Sequence, residues 1–361
     1  MKQFLAVAAL NEAVKKHCDT RRDVKIYTEG FKAVQHEAME FSVMCDGELY
    51  QLEKLHEELR QAGFPNPSSM EEAVLYAYLL WGEKAMEHME GAYSFIIRKG
   101  DSLFCAKDPL GLRPIYYLIK DNCIWISCRI QPLLDASDTP AVLNREGLLE
   151  LFAFGPSISE NQTLYKDVHA LPMGSLLRIS AGKLEIKTYY KLSAHPHTDT
   201  LQETITKVHD LMSASIHAQA SGAQASFLSG GLDSSLITSV AAKKNPQWRT
   251  YSLDYEGNKE NFKGNMYQVS LDASFIQDMC EFCQCEHTPL MLSQQELCDL
   301  LEDAMLAREA PGMADVDSSL LWLCRKVAEK EQIILSGECS DEIFGGYPWF
   351  YRDELKDLRS E

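Results

Sequence analysis

Hydrophobic and polar positions alternate with two different periods along the first half of the chain. Phe41–Tyr50 (FSVMCDGELY) alternates as a half-buried strand does, with a turn predicted at Asp46-Gly47. From Gln51 to Gly63 the leucines 52, 55 and 59 recur at helical spacing, and Gly63 supplies the stop. A second helix is predicted from Ser69 to Glu90, where Val74, Leu75, Tyr78 and Leu79 repeat at three and four; Ser68 or Ser69 is its N-cap. AYSFIIRKGDSLFCAKD reads as two strands joined at Lys99-Gly100-Asp101. Further strands are predicted around residues 115–118, 124–128 and 175–179. MKQFLAVAAL reads as a first strand rather than a signal peptide, because Asn11 and Glu12 stand where small cleavage-site residues belong.

The pattern changes after KLSAHPHTDT (191–200), an aperiodic stretch that reads as a linker between domains at 1–192 and 201–361. Beyond it, strands (QASF, WRTYSLDY, EHTPLML, QIILSGE) alternate with helices at SLITSVAAKK and around 275–282, 296–308 and 318–329. Such alternation implies a parallel sheet covered by helices, with ligands at the C-terminal strand ends. Both glycine-rich stretches of interest fall at such ends.

Composition narrows the partners. The 361 residues are 45% hydrophobic and 24% charged, enough apolar content for two packed domains. A formal charge of −18 argues against nucleic acid or an anionic membrane as a main partner. It leaves room for an anionic nucleotide bridged by Mg2+. Eleven cysteines without framework spacing point to the reducing cytoplasm. No apolar run approaches the ~20 residues that cross a bilayer.

The candidate chemistry centres on LSGGLDSSLITS, Leu228–Ser239. Glycines let the backbone approach an anion, and a helix start adds amides and partial positive charge. Ser229 and Ser234 add donors. A Walker loop would carry a lysine, and none is present. Asp233 repels phosphate unless Mg2+ lies between, so it reads as a metal ligand. A loop that grips outer phosphates through a metal suits pyrophosphate as leaving group. Ser-Gly-Gly-x-Asp-Ser after a strand resembles the pyrophosphate loop of the ATP pyrophosphatase superfamily. By that resemblance Leu228, Ser229, Gly230, Gly231, Asp233, Ser234 and Ser235 contact ATP.

LSGECSDEIFGGYPWF (335–350) is similar to the signature of the asparagine synthetase family. The resemblance implies that Ser336 and Gly337 line the adenosine and that Leu253, in TYSLDY, lies against the base. It also implies that Asp341 shares Mg2+ with Asp233 and that Glu338 lies near the reacting acyl group. A glutamate there can take the proton released when ammonia attacks. Glu338 and Glu342 also suit surface acids of a helix start, and Asp315 or Asp317 suits a cap. CEFCQCEH (280–287) reads as buried free thiols rather than half a zinc site, and His195 and His197 as solvated linker histidines.

Upstream, CDGELYQ, SMEEAVLYAYLLWGEKA and FCAKDPLGLRPIYY resemble blocks of the class II glutamine amidotransferase domain. The implied architecture is a four-layer αββα domain of N-terminal-nucleophile type, followed by a parallel-sheet domain of the adenine-nucleotide α-hydrolase kind. That amidotransferase chemistry uses an N-terminal cysteine. Here Lys2 follows Met1, and Cys18 and Cys45 are internal. In the resembling block Asp46-Gly47-Glu48 replaces an Asn-Gly-Glu, and Met70 stands where an aspartate holds the substrate amine. The glutaminase is therefore expected to be inactive, with ammonia drawn from solution. The implied reaction adenylates the aspartate β-carboxylate with MgATP and forms the amide with ammonia. A β-lactam synthetase-like amide ligase and a catalytically inert nucleotide-binding paralogue are the alternatives. The helical region that follows the signature in the family is absent from the sequence given, so either this is a truncated product or a separate chain completes the synthetase domain; a homodimer is the other partner expectation.

Overall fold

The computed structural model describes residues 5–9, 32–36, 39–263 and 272–351. Met1, Lys2, Asn11, Glu12 and Cys18, on which part of the sequence reading rests, lie outside them. The chain forms two compact units: Met1–Pro196 with Arg308–Gly312, and His197–Ala307 with Met313–Glu361.

The first unit is built on two antiparallel sheets. One has the order β1-β7-β6-β8: Leu5–Ala9, Cys123–Ser127, Tyr116–Lys120 and Val168–Ala170. The other has the order β10-β9-β5-β4-β3-β2: Lys183–Thr188, Ser175–Ser180, Ser102–Lys107, Glu90–Lys99, Met39–Tyr50 and Lys32–His36. Three buried clusters define the layers. Helices α1 (Leu52–Gln61) and α2 (Met70–Trp81) pack Leu59, Val74 and Leu75 against Phe95 and Phe104 of the larger sheet. Met44, Ile96 and Cys105 meet Ile124 and Ile126 between the sheets. Helix α3 (Ile130–Ala136) lays Leu133 and Leu134 on Leu118 and Trp125. This is the αββα sandwich the resemblance implied. Its fourth helix is α4 (Arg145–Phe154).

Two local expectations are corrected here. Asp46-Gly47 does not turn the chain: β3 runs unbroken through it, with Asp46 opposite Ser94 and Gly47 opposite Tyr93. The ladder to β4 overrides a dipeptide preference that acts only locally. The helix expected to reach Glu90 ends at Trp81, where Gly82 takes φ 59°, and a 3₁₀ turn follows over Gly82–His88. Ser69 is the N-cap, accepting the Glu72 amide at 3.3 Å.

The second unit carries a parallel sheet in the order β11-β12-β13: Ala225–Phe227, Arg249–Tyr255 and Glu286–Leu292. Helices α5 (Leu201–Ala220) and α6 (Leu232–Ala242) cover one face, their Ile216 and Ala241 meeting Trp248 just before β12. Two further helices, α7 (Ala273–Cys283) and α8 (Gln294–Asp299), precede α9 (Leu301–Arg308). The other face is covered by α10 (Ala314–Val327), whose Trp322, Leu323 and Val327 meet Tyr251 and Leu292. The predicted 296–308 helix is thus divided at Leu300, and that predicted over 318–329 begins four residues earlier. QIILSGE is not a full strand. It joins the outer edge of β11 through one bridge, with the Phe227 amide donating to Leu335 at 2.9 Å and the Leu335 amide to Ala225 at 3.0 Å. No helix among the described residues is long and apolar enough to cross a membrane.

Candidate active site

Strand β11 ends at Phe227, and a short loop delivers the chain into α6. Beneath that loop lies a buried polar relay. The Trp248 indole donates to Ser226 Oγ at 3.0 Å, and Ser226 Oγ pairs with Thr238 Oγ1 at 2.8 Å. These bonds tie the first strand to the middle of α6 and so set where the helix begins. On the central strand β12, Arg249 is held by the buried Glu331, Nη2 to Oε2 at 2.8 Å, while Tyr251 donates to Glu331 Oε1 at 2.8 Å.

The loop closes on itself through serines. The Ser229 amide donates to Ser234 Oγ at 3.1 Å, and the two hydroxyls lie 3.0 Å apart. Gly231 is the N-cap, so the helix starts at Leu232, two residues before Ser234. Gly230 takes φ 79°, and a Cβ there would sit 2.9 Å from the Asp272 carbonyl and 3.1 Å from Phe275 Cβ. Only glycine meets both demands. The first-turn amides of α6 lack intrahelical partners and add the positive end of the helix dipole. Leu228 is buried, so its side chain belongs to the core; Ser229 is exposed and Ser235 half-buried. Leu253 is half-buried on the neighbouring strand, packed against the cluster of Tyr251 and Trp322.

The second stretch comes directly against this loop. A Cβ on Gly337 would lie 3.1 Å from the Ser234 amide nitrogen and 3.3 Å from Asp233 Cβ. Larger residues at 337 would push the two segments apart. Ser336 Oγ accepts the Glu338 amide at 3.2 Å and fixes the backbone that carries Glu338. Asp341 opens α11 (Ser340–Phe344), a helix of one turn. Burial first, and the charge of Asp341 second, push the Asp233 carboxyl above the usual aspartate range. The two carboxylates are therefore electrostatic neighbours from the first turns of two different helices. Among the described residues no basic side chain forms an ion pair with either. Two hard oxygen donors without a protein cation fit Mg2+.

Tyr347 was not singled out in the sequence. Its hydroxyl donates to Glu342 Oε1 at 2.7 Å, and its ring stacks on Trp349 with centroids 4.4 Å apart. Its pKa is pushed up to about 12 by that hydrogen bond first, then by desolvation and the charges of Glu342, Asp341 and Glu338. One phenol thus senses all three acids. The aromatic run YPWF after paired glycines was the available signal. Asp317 does serve the start of α10, its Oδ2 accepting the Met313 amide at 2.7 Å, whereas no capping bond is seen for Asp315.

The site in the first unit has a different character. Asp46 is buried on β3, and Glu48 lies two residues on. Asp108 collects the amides of Leu110, Leu112 and Arg113 at 3.1, 3.0 and 3.0 Å. That loop lays the Arg113 stem over Gly47, with Cγ 3.0 Å from where a Cβ would stand. Burial raises the Glu48 carboxyl above its ordinary value, and Arg113 partly offsets this. Met70 opens α2 and packs against the α1–α2 cluster, an apolar role rather than a polar one.

The other candidates take structural places. Cys280, Cys283 and Cys285 are half-buried at the end of α7, and burial raises all three thiols. His287 is held by Thr250 Oγ1 at 3.0 Å and Ser252 Oγ at 3.1 Å. His195 and His197 are exposed, bonded to Ser193 and Thr204.

The family pattern described as asparagine synthase matches residues 207–361, and that described as a glutamine amidotransferase domain matches residues 20–190. The glutamine-hydrolysing asparagine synthetase 3 of Bacillus subtilis strain 168 is 36% identical over 326 residues, covering 88% of this chain and 53% of that protein. Asparagine synthetase 1 of the same organism is 28% identical over 333 residues, covering 90% of this chain and 50% of that protein. The chain spans about half the length of the curated relatives it matches. Among solved structures, a B. subtilis glutamine phosphoribosylpyrophosphate amidotransferase matches with a TM-score of 0.35 at 10% identity, over 88% of this chain and 80% of that one.

Proposed function

Since this chain belongs to the asparagine synthetase family, we propose that its second unit binds MgATP and activates a carboxylate, the β-carboxylate of aspartate, for amide formation with ammonia. The observation that carries this reading is the approach of Gly337 to Asp233 and Ser234, which joins two carboxylates to an amide-lined helix start.

In this reading the amides of Gly230–Ser234 and the Ser229 hydroxyl bind the β- and γ-phosphates. Ser336 and Gly337 line the adenosine, and Leu253 offers an apolar wall to the base. Asp233 and Asp341 hold Mg2+. When bound, the metal neutralises charge on the departing pyrophosphate. The carboxylate oxygen of aspartate attacks the α-phosphorus, giving β-aspartyl-AMP and pyrophosphate. Ammonia then attacks the acyl carbon and AMP leaves, while Glu338 takes the proton that the new amide sheds. Tyr347 holds Glu342 by a hydrogen bond, and with Asp341 assigned to the metal, Glu338 is the acid left for proton transfer.

We assign no glutamine hydrolysis to the first unit. A buried carboxylate at Asp46 repels a developing oxyanion where an amide would donate to it. Met70 offers no charge to a substrate amine. Pyrophosphate release from ATP, measured with aspartate and either ammonium or glutamine, tests both assignments. The account expects release that depends on aspartate and ammonium and does not respond to glutamine. Turnover driven by glutamine would contradict the assignment for the first unit. MgATP binding without aspartate-dependent release would favour an inert nucleotide-binding paralogue.

A further inference from the structure

The first unit contains a cavity of about 400 Å³ that the Asp46–Glu48 site does not line. Its walls include Lys107, Tyr116, Ile130, Glu160, Tyr165 and Met173, and none of Asp46, Gly47, Glu48 or Met70 contributes to them. Two polar groups in these walls are under-used.

Lys107 ends β5 with its ammonium partly buried. Its one hydrogen bond among the described residues goes from Nζ to the Leu171 carbonyl at 3.2 Å. Gly111 fixes the stem, since a Cβ there would stand 3.1 Å from Lys107 Cε and 3.2 Å from Nζ. The nearest acids are engaged elsewhere. Asp108 serves the backbone amides of its own loop, and Glu160 Oε1 accepts the Met173 amide at 2.9 Å. Burial lowers the ammonium's pKa, and the charges of Asp108 and Glu160 oppose that only in part. The Tyr116 hydroxyl has no protein hydrogen-bond partner among the described residues. Burial raises its pKa, so it remains a neutral donor. An ammonium with spare N–H groups and an unused phenol O–H in one cavity leave donor capacity that folding alone does not satisfy.

The rest of the lining sets the shape of what fits. Ile130 and Met173 are apolar. Glu309 also faces the cavity, but its oxygens accept the Ile130 and Gln131 amides at 2.8 and 2.7 Å. Arg308 also lines the cavity and is already engaged within the protein. With two cations set against Glu160 and Glu309 the lining is near neutral, so a single negative charge suits it better than a dianion and finds spare donors on Lys107 and Tyr116. We propose that this cavity binds a small monocarboxylate with an apolar body, its carboxylate taken by Lys107 and Tyr116 and its hydrocarbon by Ile130 and Met173. The carboxylate can belong to a simple organic acid or to an apolar α-amino acid, whose ammonium would use the second oxygen of Glu160.

Calorimetric titration of the full chain with 4-methylpentanoate, L-leucine and 3-methylbutylamine separates these cases. The first two share a carboxylate and a hydrocarbon, and the third lacks the carboxylate. Saturable binding of 4-methylpentanoate or L-leucine, and none of 3-methylbutylamine, is the expected result; the tighter of the two identifies the source. Lys107→Met should weaken that binding about 10- to 100-fold and Tyr116→Phe about 5-fold. Both variants are first checked for an unchanged thermal transition, and Tyr116→Phe removes a single oxygen, so one of the pair remains informative if the other fails to fold. Absence of saturable carboxylate binding overturns the proposal. So does binding by 3-methylbutylamine that equals the carboxylates, or carboxylate affinity untouched in both folded variants.

Discussion

The two candidate sites of this chain sit on frameworks of opposite kinds. In the first unit, the strand that carries Asp46–Glu48 is itself core: Met44, Cys45 and Leu49 on the same strand are buried, and its ladder to β4 continues straight through the site. Packing alone therefore accounts for the conformation of this strand. In the second unit, the site is a loop between β11 and α6 that contributes little to any cluster. Gly230 is in a left-handed conformation, Gly337 is pressed on the helix start, and two acids repel one another. None of these features helps the fold by itself. Strain and repulsion mark the second site, whereas an extended, well-packed strand carries the first.

The largest expected effect sharpens the contrast from the stability side. Glu331 carries the Arg249 and Tyr251 bonds beside the parallel sheet, and Glu331→Ala should destabilise the second unit by about 3 kcal/mol in chemical denaturation. Hydrogen bonding to Arg249 first holds this carboxyl below the usual glutamate range. Its contribution is thus complete above the free glutamate pKa and fades as pH falls through the lowered value. Next is Gly230→Ala, which should cost about 2 kcal/mol from the positive φ and the Asp272 contact, and should weaken ATP binding as well.

A smaller effect has the opposite sign. Asp233 titrates above its ordinary value, so its contribution is present below the unfolded pKa and is lost as pH rises through the folded one. Asp233→Asn should therefore raise the melting temperature of the ligand-free protein at neutral pH. Added Mg2+ with ATP should raise it further in the parent protein and little in the variant. A variant that melts lower than its parent without ligand would break the contrast drawn above. The smallest effect belongs to Asp46→Asn. Restoring an amide at one position should produce no glutaminase activity, because Met70 still faces its core cluster, and thermal unfolding should change by less than about 1 kcal/mol.

Much of this was legible in the sequence because it depends on neighbours in the chain. Leu55 and Leu59 on α1, the Ser69 cap and the Lys99–Asp101 turn all follow from residues within a few positions. So does the glycine-serine loop, where a strand end and helix start are adjacent. The misread places answer to distant partners. Asp46-Gly47 has the composition of a turn, but nine consecutive pairings to β4 hold it extended. QIILSGE has the composition of a strand, yet it finds β11 on one side only and keeps a single bridge. The meeting of Gly337 with Asp233 joins segments far apart in the chain, and the hydrogen bond from Tyr347 to Glu342 needs side-chain geometry. The cavity around Lys107 is built by residues distant in the chain, among them Tyr165 and Glu309.

The central claim is that Asp233 and Asp341 jointly hold a divalent cation on bound ATP. Electron paramagnetic resonance of Mn2+, titrated with ATP into the parent protein and into Asp233→Asn and Asp341→Asn, tests it without requiring turnover. A ternary protein–Mn–ATP signal is expected in the parent, with a loss of affinity of about tenfold or more in each folded variant. Equal affinity in either variant would contradict it.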